Sequence, residues 1–293
     1  LTKHFYKRMF SRNPEVIPFF NFTHQISGMQ QKTLAEAICA YAANIDNLEV
    51  LGSAIDLIAQ KHSSLQIMPE HYPIVGENLL SSIHEVLGDA ASDEVMNAWS
   101  EAYEFLASIL INKEEQIYNK HASSQGGWKG FKLFQVLKKE KESSVITSFY
   151  LFPIDGNPLP LFKPGQYITL RVPMLNGSTT MRNYSLSDQP SQNWFRISVK
   201  REASPSPEMP NGYVSNFLHD DVKMGSCLEV GPPCGEFFLD IYEKKTRKPL
   251  VLLAAGVGIT PIISMLLTTL HNLPNHPITL IHANLNEDTQ AFK

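Results

Sequence analysis

Cysteine is scarce in this chain of 293 residues: Cys39, Cys227 and Cys234 are its three, and no two form a CxxC pair. Neither a disulfide framework nor a zinc site is signalled, and a reducing compartment, the cytoplasm, is the expected setting. Long apolar runs are missing too. The longest, Leu250 to Val257, is far short of the ~18–20 residues that a membrane-crossing helix needs and has the length of a buried strand. There is no surplus of positive charge. The formal net charge of -4 gives no general attraction to nucleic acid or to an anionic membrane surface. A composition of 43% hydrophobic and 18% charged residues fits neither disorder nor a collagen-like chain. No internal repeat stands out. The chain opens on Leu-Thr-Lys-His, without an initiator methionine or a signal-peptide pattern, and closes on Thr289 to Lys293 without completing a recognisable element. A chain cut short at both ends is therefore expected.

Glycine is also rare at first, with only Gly28 and Gly52 among residues 1–75. Helical periodicity fills that region. Val95, Trp99, Tyr103, Leu106 and Leu110 form one apolar stripe, and Ile74, Val75, Leu79, Ile83, Val86 and Leu87 form another. Ser92-Asp93-Glu94 reads as a helix start with acids at its positive end. Ser123-Ser-Gln-Gly-Gly127 then breaks the pattern as a flexible linker. Beyond it the period becomes two, in Tyr167 to Val172 and in Phe195 to Lys200. Turn signals at Asp155-Gly-Asn-Pro158 and Lys163-Pro-Gly165 separate the runs, which suggests a small antiparallel barrel. From Lys248 on, Leu250 to Ala255 reads as a buried strand. A Gly256-Val-Gly258-Ile-Thr-Pro261 loop follows, then a helix from Ile262 and a strand at Ile278 to Ile281. That is the opening of a parallel α/β domain, a kind that usually needs ~100 residues or more. The expected organisation is multi-domain: an all-α domain over 1–122, a linker over 123–130, an antiparallel β-barrel over 131–244, and the first part of a parallel α/β domain over 245–293. The polar, proline-rich stretch 203–211 reads as a loop.

His62 is the informative residue of the helical part. Ile55, Ile58, Ala59 and His62 fall at i, i+3, i+4 and i+7, so the imidazole ends an apolar stripe and points inward. Read alone, that pattern fits a satisfied core histidine better than a ligand. A haem iron, however, asks for such an imidazole in an apolar pocket, with its other ring nitrogen hydrogen-bonded. Seven other histidines, His4, His24, His71, His84, His121, His271 and His276, read as surface or satisfied residues.

In the barrel, Arg182-Asn-Tyr184-Ser185 sits on a strand that would place Arg182 and Tyr184 on one face. An arginine there suits a phosphate as a forked cation, the tyrosine can lie along a flat ring, and the Ser185 hydroxyl can bond its edge. As four bare residues the pattern is weak. Gly212-Tyr-Val-Ser-Asn-Phe-Leu-His219 puts a glycine turn before a helix start, whose free N–H groups suit a pyrophosphate. Cys234, in the turn Gly231 to Phe237, reads as structural. The loop at Gly256 to Pro261 is not the GxGxxG fingerprint, because no third glycine follows. It is still a glycine turn between strand and helix that admits a phosphate, with Pro261 suited to the first helical turn.

Together these residues resemble the flavohaemoglobin (nitric oxide dioxygenase) family. The likeness spans the first 120 residues through His4-Phe-Tyr6-Lys-Arg-Met-Phe10, Asn13-Pro-Glu15 and Ile58 to Leu80. It continues through Pro164-Gly-Gln-Tyr167, the RxYS strand, Gly212 to His219, and Gly256 to Pro261 with His282-Ala-Asn284. By that resemblance the three domains bind haem b, FAD and NAD(P)H. His62 would be the iron ligand, with Tyr72 and Glu114 hydrogen-bonded around it and Lys61 a further cofactor contact. Tyr6 and Gln30 would lie on the oxygen side, with Phe20 and Leu34 packed against the haem. For Phe20 and Leu34, plain core packing explains the residues equally well. Tyr167, Arg182, Tyr184 and Ser185 would hold the flavin, Val214 and Ser215 its pyrophosphate, and Gly256, Gly258 and Thr260 the nicotinamide nucleotide. The implied activity is conversion of nitric oxide and O2 to nitrate with electrons from NAD(P)H, in a cytoplasmic monomer without nucleic-acid partners or membrane insertion. Two other readings stay open: a haem-based oxygen or nitric oxide sensor, and a flavin reductase whose helical domain is empty. NADH against NADPH preference and reduction of alkyl hydroperoxides or lipids are likewise open.

Overall fold

The structure is a computed structural model that describes residues 1–20, 28–204, 206, 209–241 and 248–293. His24 and residues 205, 207 and 208 of the proline-rich stretch lie outside the described residues. The chain divides into two compact units, Leu1–Lys120 with Pro173–Met181, and His121–Val172 with Arg182–Lys293. No described helix is long and apolar enough to cross a membrane.

The first unit is helical: α1 (Thr2–Arg12), α2 (Met29–Ala43), α3 (Gly52–Ser64), α4 (His71–Leu87) and α5 (Asp93–Ser123), the last running on into the second unit. The expected start of α5 is present, with the Val95 N–H donating to Ser92 Oγ at 3.4 Å. One core cluster gathers Phe5, Tyr6, Met9, Val16, Leu79 and Ile83, and a second gathers Ile55, Ala59, Tyr72, Ala107 and Leu110. The apolar stripe on α4 is shorter than its periodicity suggests. The packed cluster ends at Ile83, and Val86 and Leu87, in the last turn before Gly88, are both 47% exposed. Gly76 sets how closely α4 meets α5, since a Cβ there would lie 2.5 Å from the Tyr103 ring. Through that approach the Tyr103 hydroxyl donates to the Tyr72 carbonyl at 2.6 Å.

The rest of the chain up to the last domain holds β1 (Lys132–Lys141), β2 (Ile146–Pro153), β3 (Tyr167–Pro173), β4 (Thr179–Ser185), β5 (Phe195–Lys200), α6 (Tyr213–Asp220) and β6 (Cys227–Val230), all in the second unit but for Pro173 and Thr179–Met181. Their sheet runs β4-β3-β6-β1-β2-β5. A bridge between Leu186 and Ile197 links the end of β4 to β5 and closes the two edges on each other. Inward residues of the alternating strands, among them Phe134, Val136, Phe149, Leu151, Ile168, Leu170, Phe195 and Ile197, fill the centre, as period-two patterning requires. Helix α6 lies on this barrel, with Val214 and Leu218 in its core. Lys139 closes the C-terminal end of the helix, its Nζ donating to the carbonyls of Leu218, His219 and Val222. After the barrel come β7 (Leu250–Ala255), α7 (Ile259–Asn272) and β8 (Ile278–Ala283), with β7 and β8 paired in parallel. The strand–loop–helix–strand order is as expected, but β7 is not buried on both faces. Leu252 packs toward α7 and is 5% exposed, whereas Val251 and Leu253, on the other face, are 58% and 65% exposed.

His219, on the last turn of α6, supplies a pH dependence. Its Nε2–H donates to the Val199 carbonyl at 2.8 Å, and its ring packs edge-on to Phe149. Burial, with Arg201 and Lys139 nearby, pushes the imidazole below its ordinary value of 6.5. The fold therefore favours the neutral ring. The stability this contributes is fully present above that value and is lost as pH falls through the lower folded-state pKa. Melting temperature measured from pH 8 down to pH 5 should fall on the acid side, and His219→Gln should flatten that fall. An identical acid profile in the variant would remove His219 as its source.

Candidate functional site

Helix α3 presents His62 from its last turn, where Ile55 and Ala59 below it are buried. The helix closes directly after it. The Ile67 N–H donates to the His62 carbonyl and the Gln66 N–H to the Ser63 carbonyl, the double closure of a Schellman end. Gln66 takes the left-handed position with φ 60 that this closure needs. The imidazole is thus carried on a closed helix end rather than on a loop. Its Nδ1 lies 2.8 Å from Glu114 Oε1 and 3.2 Å from the Tyr72 hydroxyl, and that hydroxyl donates to the same Glu114 oxygen at 2.6 Å. Glu114 is only 2% exposed. A carboxylate can only accept, so the shared proton sits on Nδ1 and the lone pair of Nε2 is left for a ligand. Burial and the Glu114 carboxylate both push the Tyr72 phenol up, so it remains a donor.

His62 and Tyr72 line a cavity of about 490 Å3 whose walls are mostly apolar, including Phe5, Met9, Phe20, Leu34, Ile58 and Leu110. Tyr6 and Gln30 line it as well, with Lys61 also on its wall. Burial raises the Tyr6 phenol, so the hydroxyl keeps its proton and can donate to whatever the cavity holds. Its ring stands edge-on to Phe20 with centroids 5.8 Å apart. An imidazole held through Nδ1 by a buried carboxylate and facing a large apolar cavity is the donor set of a haem site. Among the described residues no cluster of three or more His, Cys, Asp or Glu side chains could hold a bare metal ion. His71, which reads in the sequence as a surface or satisfied histidine, accepts the Met68 N–H on Nδ1 at 2.8 Å and also lines the cavity, as do Trp99 and Tyr103. Its place beside Tyr72 at the first turn of α4 is the signal that could have found it.

In the barrel, Arg182 and Tyr184 share β4. Desolvation lowers the Arg182 guanidinium and burial raises the Tyr184 phenol. A forked cation held partly out of water beside a protonated aromatic suits a phosphate-bearing flat cofactor. The Tyr167 ring passes so close to Gly235, at φ +114, that a Cβ there would meet it at 2.8 Å. Gly212 opens α6, and its Cβ would press on Glu202 and Ser215. The Ser215 hydroxyl accepts the Glu202 N–H and donates to the Gly212 carbonyl. What this helix start offers a pyrophosphate is therefore its backbone N–H groups near Val214 and Ser215. Asn183, between the two motif residues, accepts instead from the Thr169 hydroxyl inside the sheet.

At the strand–helix loop, Gly256 has φ +50, and nothing lies within 4 Å of where a Cβ would stand on Gly256 or Gly258. The backbone is thus open to close approach. Thr260 Oγ1 caps back to the Val257 carbonyl, and His282 Nε2 ties the end of β8 to the Gly256 carbonyl at 3.0 Å. All three cysteines are free thiols, and Cys234 is buried, as its structural reading requires.

Residues 3–110 match the Globin family, and residues 134–239 match the Oxidoreductase FAD-binding domain family. A globin joined to such a domain defines a class of haem-flavoprotein oxidoreductases. The flavohemoprotein of Rhodopirellula baltica is 54% identical over 100% of this chain and 71% of its own length. That of Pseudomonas aeruginosa is 48% identical over 100% of this chain and 71% of its own length. The crystal structure of the flavohemoglobin of Malassezia yamatoensis, with bound FAD and heme, superposes with a TM-score of 0.84 at 26% identity, covering 99% of this chain and 73% of that one. The chain belongs to the flavohemoprotein family.

Proposed function

We propose that this protein is a nitric oxide dioxygenase in which haem b sits in the helical cavity, FAD on the barrel, and NAD(P)H at the loop of Gly256 to Pro261. The domains are those read from the sequence, 1–122, 131–244 and 245–293, with 123–130 as the linker. The balanced reaction is 2 NO + 2 O2 + NAD(P)H → 2 nitrate + NAD(P)+ + H+. The observation that carries this reading is the coupled group His62, Glu114 and Tyr72, which faces the same cavity as Tyr6. The haem, when bound, supplies the redox and oxygen-binding chemistry. His62 holds it through Nε2, and Glu114, by holding the Nδ1 proton, makes the imidazole a stronger electron donor. That favours oxygen activation over reversible carriage. The Tyr6 hydroxyl would donate to dioxygen, Gln30 would be a second polar group in the same cavity, and Phe20, Leu34 and the other apolar walls would exclude water. Lys61 is a charged group at the cavity wall for the cofactor periphery. Arg182 holds a flavin phosphate, Tyr167 and Tyr184 its ring region, Ser185 its edge, and the N–H groups near Val214 and Ser215 its pyrophosphate. Gly256, Gly258 and Thr260 take the nicotinamide nucleotide. With NAD(P)H as reductant, the cytoplasm is its place of work, as a monomer.

An absorption spectrum of the purified protein supplied with haem and FAD tests the cofactor reading: a Soret band and flavin bands are both expected. Flavin bands alone would point to a reductase with an empty helical domain, and a Soret band alone to a haem sensor. Arg182→Ala separates the two sites. A hydrogen bond to a charged group contributes about 1.5–3 kcal/mol, so FAD affinity should fall roughly 10- to 100-fold at ~1.4 kcal/mol per tenfold, with the haem spectrum unchanged. Unaltered flavin retention would take Arg182 out of the site.

A further inference from the structure

Three serine hydroxyls are buried together on the side of the barrel wall that faces away from its apolar centre. Ser148 and Ser187 are 0% exposed and Ser198 is 4% exposed. Ser148 on β2 and Ser198 on β5 are direct cross-strand partners, with their Oγ atoms 2.6 Å apart. Ser187, just past β4, brings its Oγ to 2.7 Å from Ser198. At the other end Ser148 Oγ donates to Glu142 Oε1 at 2.6 Å, and Glu142 is a partly exposed residue beside the β1–β2 turn. Because a carboxylate only accepts, the chain has a direction. Ser148 donates to Glu142, Ser198 donates to Ser148, and Ser187 donates to Ser198. Ser187 also has a second acceptor, the Arg196 carbonyl at 3.2 Å, to which its hydroxyl can turn. One buried hydroxyl would satisfy Glu142. A continuous file of three is what carries a proton.

We propose that Ser187, Ser198 and Ser148 form a proton outlet from the flavin side of the barrel to Glu142. The inference rests on the flavin reading above. A hydride taken from NAD(P)H and passed on as single electrons leaves one proton behind (H− → H+ + 2 e−), with the haem or another one-electron acceptor as oxidant. That proton has to reach solvent. Ser185, proposed to meet the flavin edge, and Ser187 lie on the same face of an extended segment, with Cα atoms ~6.5–7 Å apart, a gap that a short file of two waters spans. A proton received at Ser187 Oγ moves on as each hydroxyl passes its own proton forward, and Glu142 takes the last one and releases it to water. These four are relay residues, not catalytic ones.

The test uses the whole chain loaded with haem and FAD. FAD retention is measured first, because failure to hold FAD overturns the flavin reading itself. The flavin is reduced without oxygen and mixed with ferricyanide in weak buffer containing a pH-indicator dye. Proton release and flavin reoxidation are then followed together in H2O and D2O. Ser198→Ala and Glu142→Gln should each slow proton release by about 10²-fold, the low end of what a positioned proton-transfer group contributes, with a larger solvent isotope effect. Ser198→Thr should restore most of the rate. Glu142→Gln keeps an acceptor for Ser148 at a partly exposed site, so it decides the matter if Ser198→Ala folds poorly. If FAD is retained and both variants release the proton at the original rate, the relay is wrong. A lowered melting temperature without a change in release rate or isotope effect would likewise make the serines structural only.

Discussion

Replacing His62 by glycine should strip the haem from this protein while leaving its flavin in place. Changing a group that merely orients a metal ligand costs about 10- to 100-fold in affinity, and His62 is proposed as the ligand itself, so its loss should exceed that range. The physical ground is the tautomer. Nδ1 is held by Glu114 at 2.8 Å and by the Tyr72 hydroxyl at 3.2 Å, which leaves Nε2 as the ring nitrogen for the iron. Free imidazole should enter the space left by the side chain and restore part of the haem absorbance. Glu114→Gln is the companion variant. It keeps the volume but removes the charge, so haem should stay while the iron–histidine stretching frequency falls. A His62→Gly protein that kept a normal ferrous haem spectrum without added imidazole would show that another residue holds the iron. His62 would then be the core histidine that its apolar stripe alone suggests.

Tyr6→Phe should speed dioxygen release from the reduced protein by roughly 10- to 100-fold. The change removes one donor and nothing else of size. Burial keeps the phenol protonated, so at neutral pH it can only act as a neutral hydroxyl donating to an acceptor in the cavity. A dioxygen ligand polarised in the cavity would accept from Tyr6 as a charge-assisted bond, which contributes about 1.5–3 kcal/mol and at ~1.4 kcal/mol per tenfold sets the expected change in rate. The ring contacts with Phe5, Phe10 and Phe20 survive in phenylalanine, so the cavity should keep its shape and the protein its melting temperature. An off-rate equal to that of the parent would take Tyr6 out of the oxygen chemistry and leave Gln30 as the polar group to examine.

Much of this arrangement was legible in the sequence, because much of it is periodic. A 3.6-residue stripe through Ile55, Ala59 and His62 and a two-residue alternation through Tyr167 to Val172 are local properties, and both appear in the structure as read. The meeting of His62 with Glu114, 52 positions away, is not local. Only the resemblance to a known family paired those residues, since nothing in either segment specifies the approach of α3 to α5. One reading failed. Val86 and Leu87 continue a helical stripe that the packed cluster does not reach. Hydrophobicity says that a residue can be buried, whereas the neighbours decide whether it is. His71 shows the converse, a residue with an ordinary local explanation, its bond to Met68, that also lines the cavity. The serine file escaped the sequence altogether. Ser148, Ser187 and Ser198 stand in three different segments, and each alone reads as a common strand or turn serine. Only the register of β2 on β5 and the bridge at Leu186 bring them together.

The central claim is that the cavity turns nitric oxide and dioxygen into nitrate. It is tested most directly by a single turnover that bypasses the nucleotide. Protein loaded with haem is reduced chemically, freed of reductant, exposed to O2 and then mixed with one equivalent of nitric oxide, and the products are quantified. The account predicts one nitrate per haem, formed within the mixing time, with the haem left oxidised. Persistence of the nitric oxide, or its recovery as nitrite with no nitrate, would contradict it.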